Sequence, residues 1–111
     1  MYENFSIADY KAQFVDEPQA HFLLDVRTVE EFEQARIAGA VNIPLDDLED
    51  RMDEIEEAAG DNPIVLVCRS GVRSVMGAQK LFYAGMDEQR LINLDSGVMG
   101  WAKQGLPLEQ G

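Results

Sequence analysis

Hydrophobic residues along the chain form two patterns: short continuous apolar runs, and longer runs in which apolar residues recur at helical spacing. Four short runs have the length and composition of buried strands, namely residues 21–26 (HFLLDV), 40–44 (AVNIP), 64–68 (IVLVC) and 91–94 (LINL). The run at 64–68 is apolar throughout, which is typical of a strand that is covered on both faces. Strands that alternate with helices predict a parallel sheet joined by right-handed crossovers.

Capping residues indicate where the helices begin and end. Ser6 and Asp9 form an N-cap pair, and Thr28 and Glu31 have the spacing of a capping box. Gly85 is the expected C-cap of the helix that precedes it. Four helices are predicted in this way, over IADYKAQF, VEEFEQA, residues 73–84 and SGVMGWAKQ.

A fifth helical run is strongly acidic. Apolar residues recur at helical spacing, and eight acidic residues lie between Asp46 and Glu57. This pattern predicts one amphipathic helix over residues 46–57. An acidic face of this kind is most often a solvated surface, and the alternative is a docking surface for a basic partner protein.

Length and composition indicate one domain over residues 1–111. A chain of 111 residues with 46% apolar content can bury one modest core. No apolar run approaches the ~20 residues that a membrane span needs, and MYENFSIADY lacks the basic and apolar regions of a signal peptide. One cysteine cannot form an internal disulfide, so a cytoplasmic location is expected.

The distribution of charge points to an anionic substrate. The net charge of −12, from 21 acidic and 9 basic residues, argues against partners such as nucleic acid or an anionic membrane. Three of the basic residues, Arg69, Arg73 and Lys80, nevertheless fall within twelve positions after Cys68, the only cysteine. An acidic protein that concentrates positive charge beside its one thiol is suited to bind a small anion there.

The segment CRSGVRS, which follows the 64–68 strand, combines features that activate a thiol. Sites in parallel sheets lie at the carboxyl ends of strands, and Cys68 is at such an end. Loop amides, the N-terminus of the next helix and two arginines favour the thiolate, which is the reactive form. Gly71 permits the tight bend that the loop requires. The alternative is a buried cysteine that acts as a small hydrophobic residue beside a helix cap.

Three blocks of sequence, in order and at matching spacing, resemble the rhodanese-like domain family over nearly the whole chain. These blocks are LLDVRTVEEFEQARIAGAVNIPL, IVLVCRSGVRS and LINLDSGVMGWAKQGLPLE. The resemblance implies an α/β fold with a five-stranded, mostly parallel sheet and helices on both faces. It also implies transfer of sulfane sulfur through a cysteine persulfide, with no cofactor.

The resemblance implies a role for each residue of the loop. Cys68 is the expected catalytic nucleophile, and the substrate-binding residues are Arg69, Ser70, Gly71, Val72, Arg73 and Ser74. Arg73 is expected to bind the donor anion and to lower the thiolate pKa, with a smaller contribution from Arg69. The expected partners are thiosulfate or a related donor, and a thiol, protein cysteine or cyanide as acceptor.

Asp25 and Arg27, from the DVR motif, are candidate supporting residues. Asp25 is expected beside the active loop, because the two strands are predicted neighbours. It either orients the loop or forms a structural ion pair, and the structural role is favoured because such pairs are common at strand ends. His21 has no cysteine or histidine partner at metal-binding spacing, so no metal site is predicted.

Two positions depart from the family pattern: Ala35 and Arg36 replace its usual Gly-His pair, and Ser96 replaces one of two glycines. Two other functions remain open. A phosphatase or arsenate reductase on the same scaffold also uses a cysteine in an anion-binding loop, but with five residues between cysteine and arginine where this chain has four. A non-catalytic binding module is the other alternative, although Cys68 and the intact loop argue against it.

Overall fold

The computed structural model describes residues 1–111 and contains one sheet of five strands. The strands are β1 (Glu3–Phe5), β2 (Phe22–Asp25), β3 (Val41–Asn42), β4 (Ile64–Val67) and β5 (Leu91–Leu94). Their order in the sheet is β1-β5-β4-β2-β3, and every neighbouring pair is parallel. The predicted α/β fold is confirmed, and β4, which carries the cysteine at its end, is the central strand.

Five helices connect or flank these strands. They are α1 (Ile7–Tyr10), continued by a π-helical turn (Lys11–Val15), α2 (Val29–Gln34), α3 (Met52–Ala59), α4 (Val72–Tyr83) and α5 (Gly97–Lys103). The predicted N-cap pair of Ser6 with Asp9 and the predicted capping box of Thr28 with Glu31 are both present, and each forms a complete capping box. None of the helices combines the length and the hydropathy that a bilayer crossing requires.

Helices cover the sheet on both faces, and each face has its own apolar cluster. Successive residues of a strand point to opposite faces, so Leu24 and Leu66 belong to one cluster while Leu23 and Val65 belong to the other. The helices contribute Ile55, Ala59, Ala78 and Leu81 to the first cluster and Ile7, Tyr10, Val98 and Trp101 to the second. This double coverage explains why every residue of β4 is apolar and fully buried.

The acidic run is not one helix, contrary to the prediction. Two turns of 3₁₀-helix (Leu45–Asp47 and Glu49–Arg51) precede α3, and Arg51 leaves the helical region at φ −116° and ψ 21°. Leu48, between the two turns, is fully buried. It packs so closely on α4 that a β-carbon on Gly77 would lie 3.2 Å from its side chain. The apolar residues do recur at helical spacing, and the break in the helix is at Arg51.

A buried ion pair fixes the carboxyl end of β2. Asp25 is 0% and Arg27 5% exposed, and the Arg27 guanidinium donates to the carboxylate at 3.0, 3.1 and 2.7 Å. Arg27 also donates to the carbonyls of Glu31 and Ala35, and Asn42 donates to the carbonyls of Asp25 and Arg27. Together these bonds connect β2, β3 and α2. The contacts of Asp25 are those of a structural ion pair.

We expect Asp25→Ala to lower the free energy of unfolding by about 3–5 kcal/mol, because it leaves the Arg27 charge buried without a partner. The measurement is the midpoint of urea denaturation. The matched control is Glu109→Ala, which removes an exposed partner 3.8 Å from Arg36 and costs at most about 1 kcal/mol. A loss for Asp25→Ala no larger than that of the control would contradict the structural role.

Candidate active site

Cys68 follows β4 directly, at the carboxyl edge of the sheet and between the ends of β2 and β5. Residues 68–71 form a tight loop, and α4 begins at Val72. Gly71 has φ 101°, in the region that favours glycine, so the chain reverses there before entering the helix. The parallel sheet therefore brings the thiol and a helix N-terminus together, as the sequence predicted.

Hydrogen-bond donors surround the sulfur of Cys68. The residue is 1% exposed, the Gly71 N–H donates to Sγ at 3.0 Å, and the Ser74 hydroxyl is 3.3 Å from it. Burial is the largest single influence and raises the pKa of the Cys68 thiol. The Ser74 hydroxyl, with the backbone amides of Ser74, Gly71 and Ser70, outweighs it, so the pKa is lowered from its ordinary value. The thiolate is stabilised in the site.

The first turn of α5 fixes the loop from the other side. The N–H groups of Val98 and Met99 donate to the carbonyls of Cys68 and Arg69, each at 2.9 Å. A β-carbon on Gly97 would collide with the Cys68 carbonyl oxygen, so only glycine permits this approach. The role of α5 was missed from the sequence alone, although the glycine at its start was a signal for close packing.

Ser96, where the family usually has glycine, adopts a left-handed conformation. It is the one residue other than glycine with positive φ, at 67°, and it immediately precedes α5. A non-glycine residue in this region costs roughly 1–2 kcal/mol. The backbone before α5 therefore takes a conformation that suits glycine, and the serine strains it.

The other departure, at Ala35 and Arg36, lies at the end of α2. The Ala35 carbonyl accepts a hydrogen bond from Arg27 at 2.7 Å. Arg36 pairs with Glu109 through backbone hydrogen bonds of 2.9 and 2.8 Å, and its guanidinium lies over the Phe32 ring at 5.2 Å. Arg36 therefore anchors the C-terminal segment.

Arg73 is bonded to a carboxylate that the sequence analysis did not associate with it. Its two terminal nitrogens donate to the two oxygens of Glu31, at 2.6 and 2.9 Å. The Arg73 hydrogen bond is the main reason that the pKa of Glu31 falls to about 2. The role of Arg73 as a ligand of the donor anion stays a prediction, and Glu31, which also caps α2, already occupies its guanidinium fork.

The remaining loop residues differ in exposure. Arg69 and Ser70 are exposed, and Arg69 forms no salt bridge. The Val72 side chain is 67% exposed, so its contribution to the site is limited to the backbone at the start of α4. Arg69 borders a groove of about 410 Å³ between α2 and α5, which also includes Ala35 and Met99. No cluster of side chains in the chain has the composition of a metal site.

Comparison with known proteins identifies one family of domains. A profile of the Rhodanese-like domain matches residues 6–104. The chain is 37% identical over 86 residues to a sulfurtransferase of Allochromatium vinosum, covering 78% of this chain and 76% of that protein. It is 33% identical over 96 residues to thiosulfate sulfurtransferase 16, chloroplastic, of Arabidopsis thaliana, covering 78% of each.

Solved structures that superpose on this chain include proteins of the same family. A rhodanese-like domain protein of Staphylococcus aureus superposes with a TM-score of 0.80 at 27% identity, covering 98% of both chains. Thiosulfate sulfurtransferase of Pseudomonas aeruginosa has a TM-score of 0.83 at 26% identity, covering 99% of this chain and 20% of that one. The chain also spans only 45% and 38% of the length of two relatives that are 38% identical to it.

The hydrogen bond from Ser74 to the sulfur gives a pH-dependent prediction. A bond to the thiolate lowers the thiol pKa, so Ser74→Ala raises it and less thiolate is present at neutral pH. We expect alkylation of Cys68 by iodoacetamide to be severalfold slower at pH 7 and its pH profile to move to higher pH. Ser70→Ala is the control, because it removes an exposed hydroxyl and keeps the Ser70 amide. Identical profiles for both variants would exclude the proposed effect of the Ser74 hydroxyl.

Proposed function

The chain belongs to the rhodanese-like domain family, and on that premise we propose that it is a sulfurtransferase in which Cys68 takes the outer sulfur of thiosulfate and passes it to a thiol. The observation that carries the proposal is the environment of the sulfur. Sγ of Cys68 accepts a hydrogen bond from the Gly71 amide at 3.0 Å, lies 3.3 Å from the Ser74 hydroxyl, and belongs to a thiol of lowered pKa.

The first half-reaction loads the cysteine. The Cys68 thiolate attacks the outer sulfur of thiosulfate, a new S–S bond forms, and the bond to the sulfonate sulfur breaks. Sulfite leaves with the electron pair of that bond, and Cys68 becomes a persulfide. Negative charge moves from Sγ to the added sulfur during this step. The amides of Ser70 and Gly71 and the helix N-terminus at Val72 are suited to stabilise that charge.

The second half-reaction returns the enzyme to its starting state. An acceptor thiolate attacks the outer sulfur of the persulfide, the S–S bond breaks, and Cys68 leaves as a thiolate. The same donors that lower the pKa of Cys68 make it a better leaving group. We propose a thiol or a protein cysteine as the acceptor, with cyanide as the acceptor in an assay. The sequence of steps requires no cofactor.

The two arginines of the loop have different roles in this proposal. Arg69 forms no salt bridge and is exposed beside the loop, so its charge is available to the sulfonate of the donor. Arg73 is bonded to Glu31 through both terminal nitrogens, so it positions α2 against the loop and acts on the anion through its residual charge. The affinity for thiosulfate therefore depends on the balance between Arg73 and Glu31.

The size of the loop favours sulfur transfer over phosphate hydrolysis. Four residues separate Cys68 from Arg73, and the Gly71 amide points at Sγ itself, at 3.0 Å. A phosphatase needs amides that surround a tetrahedral group above the sulfur, whereas a loop that contacts Sγ directly is matched to one added sulfur atom. The activated thiol equally favours an enzyme over a purely protein-binding module.

We expect incubation with thiosulfate to add one sulfur atom to the intact protein, located on Cys68, and a reducing thiol to remove it. The measurement is intact-mass spectrometry, followed by peptide mapping, together with thiocyanate production from cyanide. Cys68→Ser is the control and gains no sulfur. Sulfur addition to that variant would mean that another group is the acceptor.

The same preparation is assayed for hydrolysis of an aryl phosphate, and we expect no turnover. If the wild-type protein hydrolyses the phosphate at a rate that matches its sulfur transfer, and Cys68→Ser abolishes that hydrolysis, then the argument from loop size is wrong and the phosphatase is the better assignment.

The pair formed by Arg73 and Glu31 is tested with two variants. Arg73→Ala removes a charge-assisted contact and leaves the Glu31 carboxylate beside an anion site, so kcat/KM for thiosulfate should fall about a hundredfold. Glu31→Gln keeps a side chain that can cap α2 but removes the competing charge, so KM for thiosulfate should fall severalfold with kcat unchanged. Equal kinetics of Arg73→Ala and wild type, or an unchanged KM in Glu31→Gln, would refute this account.

A further inference from the structure

The outer face of α4 carries a concentration of exposed apolar side chains. Eight large hydrophobic side chains of the protein are at least 36% exposed, and the two most exposed, Tyr83 at 73% and Val72 at 67%, are both on this helix. Met76 on the same helix is 47% exposed. At 3.6 residues per turn, these three residues lie within about 40° of one another around the helix axis. We call Val72, Met76 and Tyr83 the α4 stripe.

The α4 stripe begins at the active-site loop. Val72 follows Gly71, whose amide contacts the sulfur of Cys68 at 3.0 Å. From Val72 the stripe extends along the helix for about 16 Å, to Tyr83. Beside it lies a groove of about 410 Å³, bordered by Met76, Tyr83 and Glu49. A polypeptide that covers the stripe would therefore also reach the mouth of the loop.

The flank of the stripe is acidic. Leu48 packs against Gly77 of α4, which brings the acidic turns at 45–51 alongside the helix. Glu49 is bonded to Lys80 at 3.2 Å. The exposed carboxylates nearby that form no salt bridge are those of Asp46, Asp47 and Asp50. The surface thus combines apolar side chains with exposed carboxylates that form no salt bridge, although Arg51 is close enough to Asp47 to interact with its charge.

We propose that the α4 stripe and the carboxylates of Asp46, Asp47 and Asp50 form the docking surface for a protein sulfur acceptor that carries lysine or arginine beside apolar side chains, close to its accepting cysteine. Complementary charge selects a basic partner, and aromatic and apolar side chains at the centre of an interface supply most of its affinity. Cyanide and small thiols do not depend on such a surface, because they are too small to contact both the persulfide and the side chains along α4.

The inference rests on the proposed function and adds the identity of the acceptor class. The thiolate of the docked acceptor attacks the outer sulfur of the Cys68 persulfide. The S–S bond breaks, Cys68 leaves as a thiolate, and the acceptor cysteine becomes a persulfide. No oxidant or reductant is consumed.

Two synthetic peptides test the proposal with the full chain loaded by thiosulfate. Both contain one cysteine and the same apolar residues. At the remaining positions the basic peptide carries lysine and arginine, and the acidic peptide carries glutamate. The rate of sulfur transfer is followed by the mass of the peptide persulfide. We expect the basic peptide to react at least about fivefold faster than the acidic one at low salt, with the difference reduced at high salt.

Variants of the protein show which residues cause the preference for the basic peptide. Met76→Ser with Tyr83→Ser should slow transfer to the basic peptide about tenfold, and Asp47→Asn with Asp50→Asn should remove most of the preference for it. The matched controls are Val15→Ser with Val41→Ser, whose side chains are 43% and 44% exposed elsewhere, and Asp53→Asn with Glu57→Gln on α3. None of these variants should change transfer to cyanide.

The outcomes separate the two proposals. If cyanide yields no thiocyanate, the proposed function fails and the docking surface fails with it. If cyanide reacts while both peptides react equally, or if the control variants reduce transfer to the basic peptide as much as the α4 variants do, sulfur transfer stands and the docking surface is overturned.

Discussion

The backbone of Cys68 and Arg69 is held between two helices, and the rest of the site depends on that arrangement. The N–H groups of Val98 and Met99 bind the two carbonyls at 2.9 Å, while Gly71 turns the chain into α4 on the other side. Because the carbonyls face α5, the loop amides remain free to face the sulfur. The glycine at the start of α5 is therefore as necessary to the thiol as the donors that contact it.

Hydrogen-bond donors at short range, more than the full charges of the arginines, lower the pKa of the Cys68 thiol. Arg73 is paired with Glu31, whose opposite charge offsets part of its effect at the sulfur. The Gly71 amide lies 3.0 Å from Sγ, and no competing group weakens it. In a protein of net charge −12, backbone amides also stabilise a thiolate more dependably than arginines do. Nearby carboxylates can pair with an arginine, but they cannot reorient a backbone amide that the fold holds in place.

Features set by local sequence were predictable, and those set by tertiary packing were not. The buried strands, the two capping boxes and the position of Cys68 at a strand end follow from apolar runs and side-chain spacing. β1 was missed by the pattern because three residues with two exposed polar side chains carry no strand signal, and only pairing with β5 makes them a strand. The salt bridge of Arg73 with Glu31 joins residues 42 positions apart, so no local pattern could indicate it.

α4 serves three purposes on two faces: Ser74 lies on the same side of the helix as the core residues Ala78 and Leu81, and the α4 stripe lies on the opposite side. Ser74 in its first turn lies under the sulfur, Ala78 and Leu81 pack in the core, and Tyr83 is on the outer face. Side chains on the outer face contact neither the sulfur nor the core. Substitutions there can therefore change what the surface binds while the loop and the pKa of Cys68 stay as they are. Substitutions on the inner face have less freedom: a β-carbon on Gly77 would lie 3.0 Å from the Leu66 side chain and 3.2 Å from that of Leu48, so these side chains, or the helix that carries Ser74, would have to move by a few tenths of an ångström.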